Sequence, residues 1–287
     1  MHDFIIYIIL GLGVGIMSGF FGIGGGFILT PILMLMGFTP VLAIAISLLY
    51  TVATSLSGVV AHFRLKNIKW ETAIILGISG IIATQIAHPF VLLLGRYNIE
   101  NTIIPLMYLG LIIYFSISIL VSKGTNPHHT FTKNKSSYFK IILIGAFAGF
   151  VSTTLGVGGG FIIVPLLMSV LSFQPKYAVG TSLLSVFMIV IVGFTSYASS
   201  TTLDYGVSLS LIIGAIVGGQ LGAKVTMGYE DSQVRHFLAG LYITTGISLS
   251  LKLFHLNFIG LLLLLLYCLF MLIHFIIFRQ KTPSSIM

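Results

Sequence analysis

Two glycine-rich stretches, each inside an apolar run, contain the residues whose types and spacing best suit ligand binding. The first reads SGFFGIGGGFILTP from Ser18 to Pro31, and the second reads STTLGVGGGFIIVP from Ser152 to Pro165. Glycine inside a helix costs about 1 kcal/mol relative to alanine and proline about 3 kcal/mol, so each stretch predicts a helix break. Lipid offers no partner for a broken backbone, so neighbouring helices or a ligand must stabilise the break.

A helix that begins at such a break presents free backbone N–H groups and the positive end of its dipole to an anion. Glycine allows both a close approach of the ligand and a positive φ. The residues that would form this surface are Gly24, Gly25, Gly26, Gly158, Gly159 and Gly160. The alternative interpretation is that these glycines only permit tight packing or a turn. Neither stretch continues into the Gly-Lys-Ser/Thr of a P-loop, so nucleotide hydrolysis is not indicated.

Polar side chains inside the apolar segments are the other candidate anion ligands, because each is costly in lipid without a partner. The candidates are Ser47, Gln85, Thr181, Ser182 and Gln220. One such residue alone more often forms a hydrogen bond between helices. Recurrence of the serine and glutamine in both halves of the chain gives binding equal weight with that interpretation. Histidine and acidic residues show no clustered spacing, so we expect neither a metal nor a cofactor.

The composition places these residues in a membrane. Of 287 residues, 57% are hydrophobic and 7% are charged, whereas a soluble domain carries about 25% charged residues. The net charge of +8 comes from basic residues between apolar segments. This pattern fits positions beside a membrane and argues against nucleic acid as a partner. The single cysteine, Cys268, excludes an intrachain disulfide.

The chain contains an internal repeat. Residues 18–33 match residues 152–167 at 9 of 16 positions, with an offset of 134 that becomes 135 after one inserted residue. The predicted organisation is a first transmembrane repeat at 1–121, a cytoplasmic linker at 122–137, a second transmembrane repeat at 138–252, and an extra transmembrane helix with a tail at 253–287.

The placement of lysine and arginine predicts opposite orientations for the two repeats. Loop 64–69 carries three basic residues and the matching loop 199–204 carries none, so the positive-inside rule puts the first in the cytoplasm and the second outside. Segments 27–37 and 161–172 are too short to span the bilayer, so we expect broken or re-entrant helices there. The predicted fold is an all-α membrane protein, a polytopic bundle of two inverted repeats. Such repeats are typical of secondary transporters that work by alternating access at the repeat interface.

The duplicated Gly-x-Gly-Gly-Gly-x-x-x-x-Pro motif, at 22–31 and 156–165, together with GTSL at 180–183, resembles the TauE/SafE sulfite exporter family. The resemblance implies export of small sulfur-containing anions, such as sulfite or sulfoacetate, across the cytoplasmic membrane of bacteria or archaea. The first repeat reads AISL at 45–48, so a hydroxyl contact there would depend on Ser47 alone.

Two other functions are weighed against an exporter. An anion channel, or a permease for other small organic anions, would use the same dipole-lined residues. An enzyme is not indicated, because no nucleophile motif of the Gly-x-Ser-x-Gly type and no His-Glu motif is present. The expected partners are a small anion and membrane lipid, and a homodimer is left open.

Overall fold

The computed structural model describes residues 2–22, 24–121, 135–226 and 229–281, and within these ranges it contains helices and short connections but no strand. Seven of the helices are long and apolar enough to cross a membrane. The chain is therefore a polytopic all-α membrane protein, as the composition predicts. Most of the predicted linker, at 122–134, lies outside the described residues, whereas 135–137 already belong to a helix.

The helices follow the order of the sequence repeat. In the first repeat they are α1 (His2–Phe21), α2 (Gly26–Leu35), α3 (Pro40–Arg64), α4 (Trp70–Arg96) and α5 (Glu100–Val121). In the second they are α6 (Lys135–Leu155), α7 (Gly160–Leu171), α8 (Pro175–Ala198), α9 (Tyr205–Thr226) and α10 (Asp231–Leu253). A further helix, α11 (Asn257–Lys281), follows.

Both glycine stretches interrupt a helix where the sequence predicts a break. The chain adopts a positive φ of +81° at Gly24 and again at Gly158, a conformation that favours glycine because it has no Cβ. The short helices α2 and α7 begin directly after these turns, and neither has a side-chain cap at its N-terminus. All ten residues of α2 are buried, so protein rather than lipid surrounds this short helix.

Contacts between helix ends define two faces of the molecule. The rings of Tyr7 and Phe38 are 6.5 Å apart, so α2 ends where α1 begins, and we call this the N-terminal face. From there α3 runs for 25 residues, about 37 Å at 1.5 Å per residue. At the other end, the Tyr138 hydroxyl donates to the Glu71 carboxylate, which joins the starts of α6 and α4. We call this second surface the linker face.

Helices of one repeat pack mainly against helices of the other. The strongest contacts are those of α1 with α9 and of α4 with α6, followed by α3 with α8. In the sequence repeat, α6 is the counterpart of α1, and α9 is the counterpart of α4. Exchanging the two repeats therefore converts the α1–α9 pair into the α6–α4 pair.

Small residues allow α1 and α9 to approach at backbone distance. A Cβ added at Gly218 would lie 2.9 Å from Ile16 N, whereas one added at Gly219 would meet nothing nearer than Gly15 O at 4.0 Å. Adjacent residues of one helix point about 100° apart, so a side chain at 218 would point into α1 and one at 219 would not.

This difference predicts opposite effects of alanine on stability. We expect Gly218→Ala to lower the midpoint of thermal unfolding in detergent by several degrees, because α1 must shift to admit a methyl group. Gly219→Ala should leave the midpoint unchanged or raise it, because alanine is the better helix former. Equal losses for both variants would contradict the packing described above.

Candidate functional site

A cavity of about 340 Å³ lies between helices of the two repeats, enclosed by α1, α3, α7, α8, α9 and Gly24. Its volume falls in the range of about 300–1,000 Å³ that is usual for small-molecule sites. His62, Val179 and Ala223 line it near the ends of α3, α8 and α9 that lie at the linker face. The cavity therefore opens toward that face.

The polar lining consists of hydroxyls, one amide and one imidazole. These side chains are Ser18, Thr51, Thr54, Ser55, Ser57, His62, Ser182 and Gln220. Among the lining residues there is no carboxylate, lysine or arginine, and His62 is the one ionisable group. The cavity can thus donate hydrogen bonds to an anion without a fixed positive charge. Among the described residues, no three His, Cys, Asp or Glu side chains lie close enough to hold a metal ion.

Ser182 has the strongest structural signal of a ligand contact. Its side chain is 1% exposed, and its Oγ is buried with no hydrogen-bond partner among the described residues. One turn further along α8, Ser185 Oγ donates to Ala73 O and Thr181 O, both at 3.0 Å. A buried hydroxyl left unpaired costs about 1–3 kcal/mol. Ser182 lines the cavity, so a ligand or water there would satisfy its hydroxyl once the side chain rotates toward the cavity, whereas Ser185 is satisfied by the protein.

The two glycine turns meet next to this cavity. A Cβ on Gly26 would collide with the carbonyl oxygen of Gly156, and Thr30 Oγ1 donates to the same oxygen at 3.3 Å. Gly24 of the first turn and Gly160 at the start of α7 both line the cavity. The beginnings of α2 and α7 are thus brought together.

The structure brings four of the predicted site residues to the cavity: Gly24, Gly160, Ser182 and Gln220. The remaining glycines lie in packed surroundings. A side chain at Gly25 would collide with the Tyr50 ring, and a Cβ at Gly158 would lie 2.6 Å from Thr51 Cγ2. One at Gly159 would lie 3.4 Å from Ala148 O.

The other predicted polar residues differ in their surroundings. Thr181 Oγ1 accepts a hydrogen bond from Lys69 N at 3.0 Å, which ties α8 to the α3–α4 turn. Gln85 is exposed at the surface of α4. Ser47 is fully buried, and its Oγ has no hydrogen-bond partner among the described residues.

Sequence reasoning missed several lining residues, among them Thr51, His62 and Gly219. His62 and Gly219 have unlike counterparts in the other repeat, Tyr197 and Thr84, so a search for recurrent residues passes over them. Gly219 also lies within GAIVGGQLGA, where the sequence favours close helix packing.

The chain is thus a helical membrane protein with a cavity between its helices, and comparison with known proteins shows its class. The family model for the sulfite exporter TauE/SafE matches residues 7–249. The chain belongs to that family, and it is a multi-pass transporter of the cell membrane, not an enzyme.

Similar proteins occur in bacteria and archaea. "Probable membrane transporter protein YjnA" of Bacillus subtilis is 26% identical over 84% of this chain and 98% of its own length. "Probable membrane transporter protein YunE" of the same organism is 27% identical over 86% and 97%. "Probable membrane transporter protein MJ0441" of Methanocaldococcus jannaschii is 27% identical over 85% and 94%. No solved structure matches the chain at a significant level.

Proposed function

We propose that this protein is a secondary transporter for small sulfur-containing anions of the sulfite and sulfoacetate class, that the cavity is its binding site, and that it works by alternating access. The observation that carries the proposal is the cavity itself, which lies between the repeats, is rich in hydroxyls and contains no acidic side chain. The name of the matching family supports the choice of substrate class.

The cavity suits an oxyanion that must be released again. The Ser182 hydroxyl and the Gln220 amide can donate to sulfite or sulfonate oxygens, and the N-terminus of α7 at Gly160 adds the positive end of a helix dipole. Neutral donors bind an anion less tightly than a buried lysine or arginine would, so the anion is released more readily. Arg64, near His62, and Lys224, next to Ala223, lie at helix ends by the opening and raise the local anion concentration.

Inverted repeats would support alternating access, and two features of the helix arrangement favour them. α1 starts at the N-terminal face and its sequence counterpart α6 starts at the linker face. The dominant pairs, α1 with α9 and α4 with α6, are exchanged by the repeat. A two-fold axis in the membrane plane produces this relation, and such an axis passes through the substrate site in many transporters.

Sidedness follows from the distribution of charge, and it predicts a labelling pattern. In a Cys268→Ser background, we expect a membrane-impermeant thiol reagent outside intact cells to modify Ser200→Cys but not Ser136→Cys. The reason is that the basic residues at 64–69 place the linker face in the cytoplasm. The reverse pattern would overturn the assigned orientation.

Saturation and counterflow distinguish the carrier from the alternative anion channel. Purified protein in liposomes loaded with unlabelled sulfoacetate should accumulate radiolabelled sulfoacetate transiently, with a rate that saturates. A carrier produces this exchange because its binding site returns across the membrane with unlabelled sulfoacetate bound. Unsaturated flux driven by voltage, without counterflow, would indicate a channel and would refute the proposal.

A further inference from the structure

The cavity has a counterpart on the other side of the glycine turns. The repeat relates residues by an offset of 134 in the glycine stretches and 135 beyond them. Gly22 and Gly24 on the cavity side therefore correspond to Gly156 and Gly158, and Ser182 of α8 corresponds to Ser47 of α3. The contact between the first glycine turn and α8 can therefore be compared with the contact between the second glycine turn and α3.

On the cavity side these parts are separated. A Cβ added at Gly22 would meet no heavy atom within 4 Å. At Gly24, the nearest atoms, which include Thr51 Cγ2, would be 4.0 Å away. The gap between the first glycine turn and α8 is the cavity itself, and Val179, Ser182 and Val186 form its α8 wall.

On the counterpart side, the second glycine turn and α3 are in contact. A Cβ at Gly156 would lie 2.9 Å from Ile44 Cα, and one at Gly158 would lie 2.6 Å from Thr51 Cγ2. Ile44, Ser47 and Thr51 lie on one face of α3, at the spacing of successive helical turns. That face is packed against the second glycine turn, which leaves no gap like the one beside α8.

Two unpaired hydroxyls are buried in this closed region. Ser47 and Ser152 are both 0% exposed, and neither Oγ has a hydrogen-bond partner among the described residues. They are the counterparts of Ser182 and Ser18, which line the cavity. Thr154 and Ser248 also have buried hydroxyls without a described partner, but their counterparts, Phe20 and Ile113, do not line the cavity. Ser47 and Ser152 differ in that each carries the cost of an unpaired hydroxyl at a position whose counterpart does line the cavity. A binding surface that is closed in this state accounts for both.

The closed region is sealed toward the N-terminal face by hydrogen bonds. Tyr197 OH donates to Thr153 O at 2.9 Å, Thr84 and Thr153 hydroxyls are 2.9 Å apart, and His88 Nε2 is 2.9 Å from Ser200 Oγ. The counterparts of Tyr197, Thr153 and Thr84 are His62, Gly19 and Gly219, in that order. All three line the open cavity.

We infer that Ser47 and Ser152, together with the turn at 156–158, form a second binding surface for the same small oxyanions. It opens to the N-terminal face when the cavity beside Ser182 closes. This inference rests on the proposed transport function, and it assigns the outward step of that function to specific side chains. The two hydroxyls would donate to the anion as the face of α3 that bears Ile44 and Thr51 withdraws.

Cysteine accessibility tests the inference with sulfoacetate as the probe. In the Cys268→Ser parent, an impermeant methanethiosulfonate should modify Ser47→Cys slowly from the N-terminal face without sulfoacetate, and sulfoacetate should accelerate this modification at least fivefold. Sulfoacetate should slow the modification of Ser182→Cys from the linker face in parallel. The matched control is Ala45→Cys, which is equally buried on another side of α3 and should stay unreactive throughout.

The outcomes separate the inference from the proposed function. If the parent shows saturable sulfoacetate counterflow and Ser47→Cys remains as unreactive as Ala45→Cys, the inference is wrong and the transport function stands. Ile44→Cys, on the same face, carries this test if Ser47→Cys abolishes flux. Equally fast labelling of positions 47 and 182 without sulfoacetate would show both surfaces open at once and would also overturn the inference. A parent without saturable flux would overturn the proposed function instead.

Discussion

Gly219→Leu should abolish anion flux while the protein folds normally. A Cβ added at Gly219 would have no heavy atom nearer than Gly15 O, which would be 4.0 Å away. The leucine side chain should therefore enter the cavity rather than collide with a neighbouring helix. There it takes space that the anion needs. We expect initial sulfoacetate uptake to fall at least a hundredfold, with the midpoint of thermal unfolding unchanged or higher.

Gly110→Leu is the matched control for this variant. Gly110 also lies inside a helix and also has nothing within 4 Å of an added Cβ, but it is not among the residues that line the cavity. Its flux should remain near that of the unsubstituted protein. Normal flux in a folded Gly219→Leu protein would exclude the cavity from the transport path.

Ser182→Ala should weaken anion binding without loss of stability. The Ser182 hydroxyl has no hydrogen-bond partner among the described residues, so its removal should cost the fold nothing, whereas a hydrogen bond to a charged ligand contributes about 1.5–3 kcal/mol. That energy corresponds to a roughly ten- to hundredfold rise in the dissociation constant. Isothermal titration of the purified protein with sulfoacetate would measure it.

Ser185→Ala is expected to show the reverse behaviour. Its hydroxyl donates to Ala73 O and Thr181 O, so the variant should lose about 1 kcal/mol of stability and keep most of its affinity. If Ser182→Ala binds sulfoacetate as tightly as the parent, Ser182 is not a ligand contact.

The helices could be predicted from the sequence because lipid imposes strict lengths. Apolar runs of spanning length became helices, and segments 27–37 and 161–172 became α2 and α7. The breaks were predictable because glycine acts on the local backbone, whereas Pro31 and Pro165 lie inside α2 and α7 and break neither helix. Ser182 and Gln220 could be found because each recurs in the other repeat.

The asymmetry of the site could not be predicted from the sequence. Gly24 and Gly158 have the same φ of +81° and the same motif around them, yet one borders a cavity and the other touches Thr51. The difference lies in how far α8 and α3 stand from the glycine turns, which the local motif does not determine. Gly219 was missed for a related reason, since only packing shows which of two adjacent glycines faces α1.

The central claim is that a small oxyanion binds in the cavity between the first glycine turn and α8. The most direct measurement is a structure determined with selenite, a pyramidal analogue of sulfite whose selenium scatters X-rays anomalously. We predict one dominant anomalous peak in the cavity, with its oxygens within hydrogen-bond distance of Ser182 Oγ. An empty cavity at selenite concentrations that saturate transport, or a dominant peak elsewhere in the protein, would contradict the account.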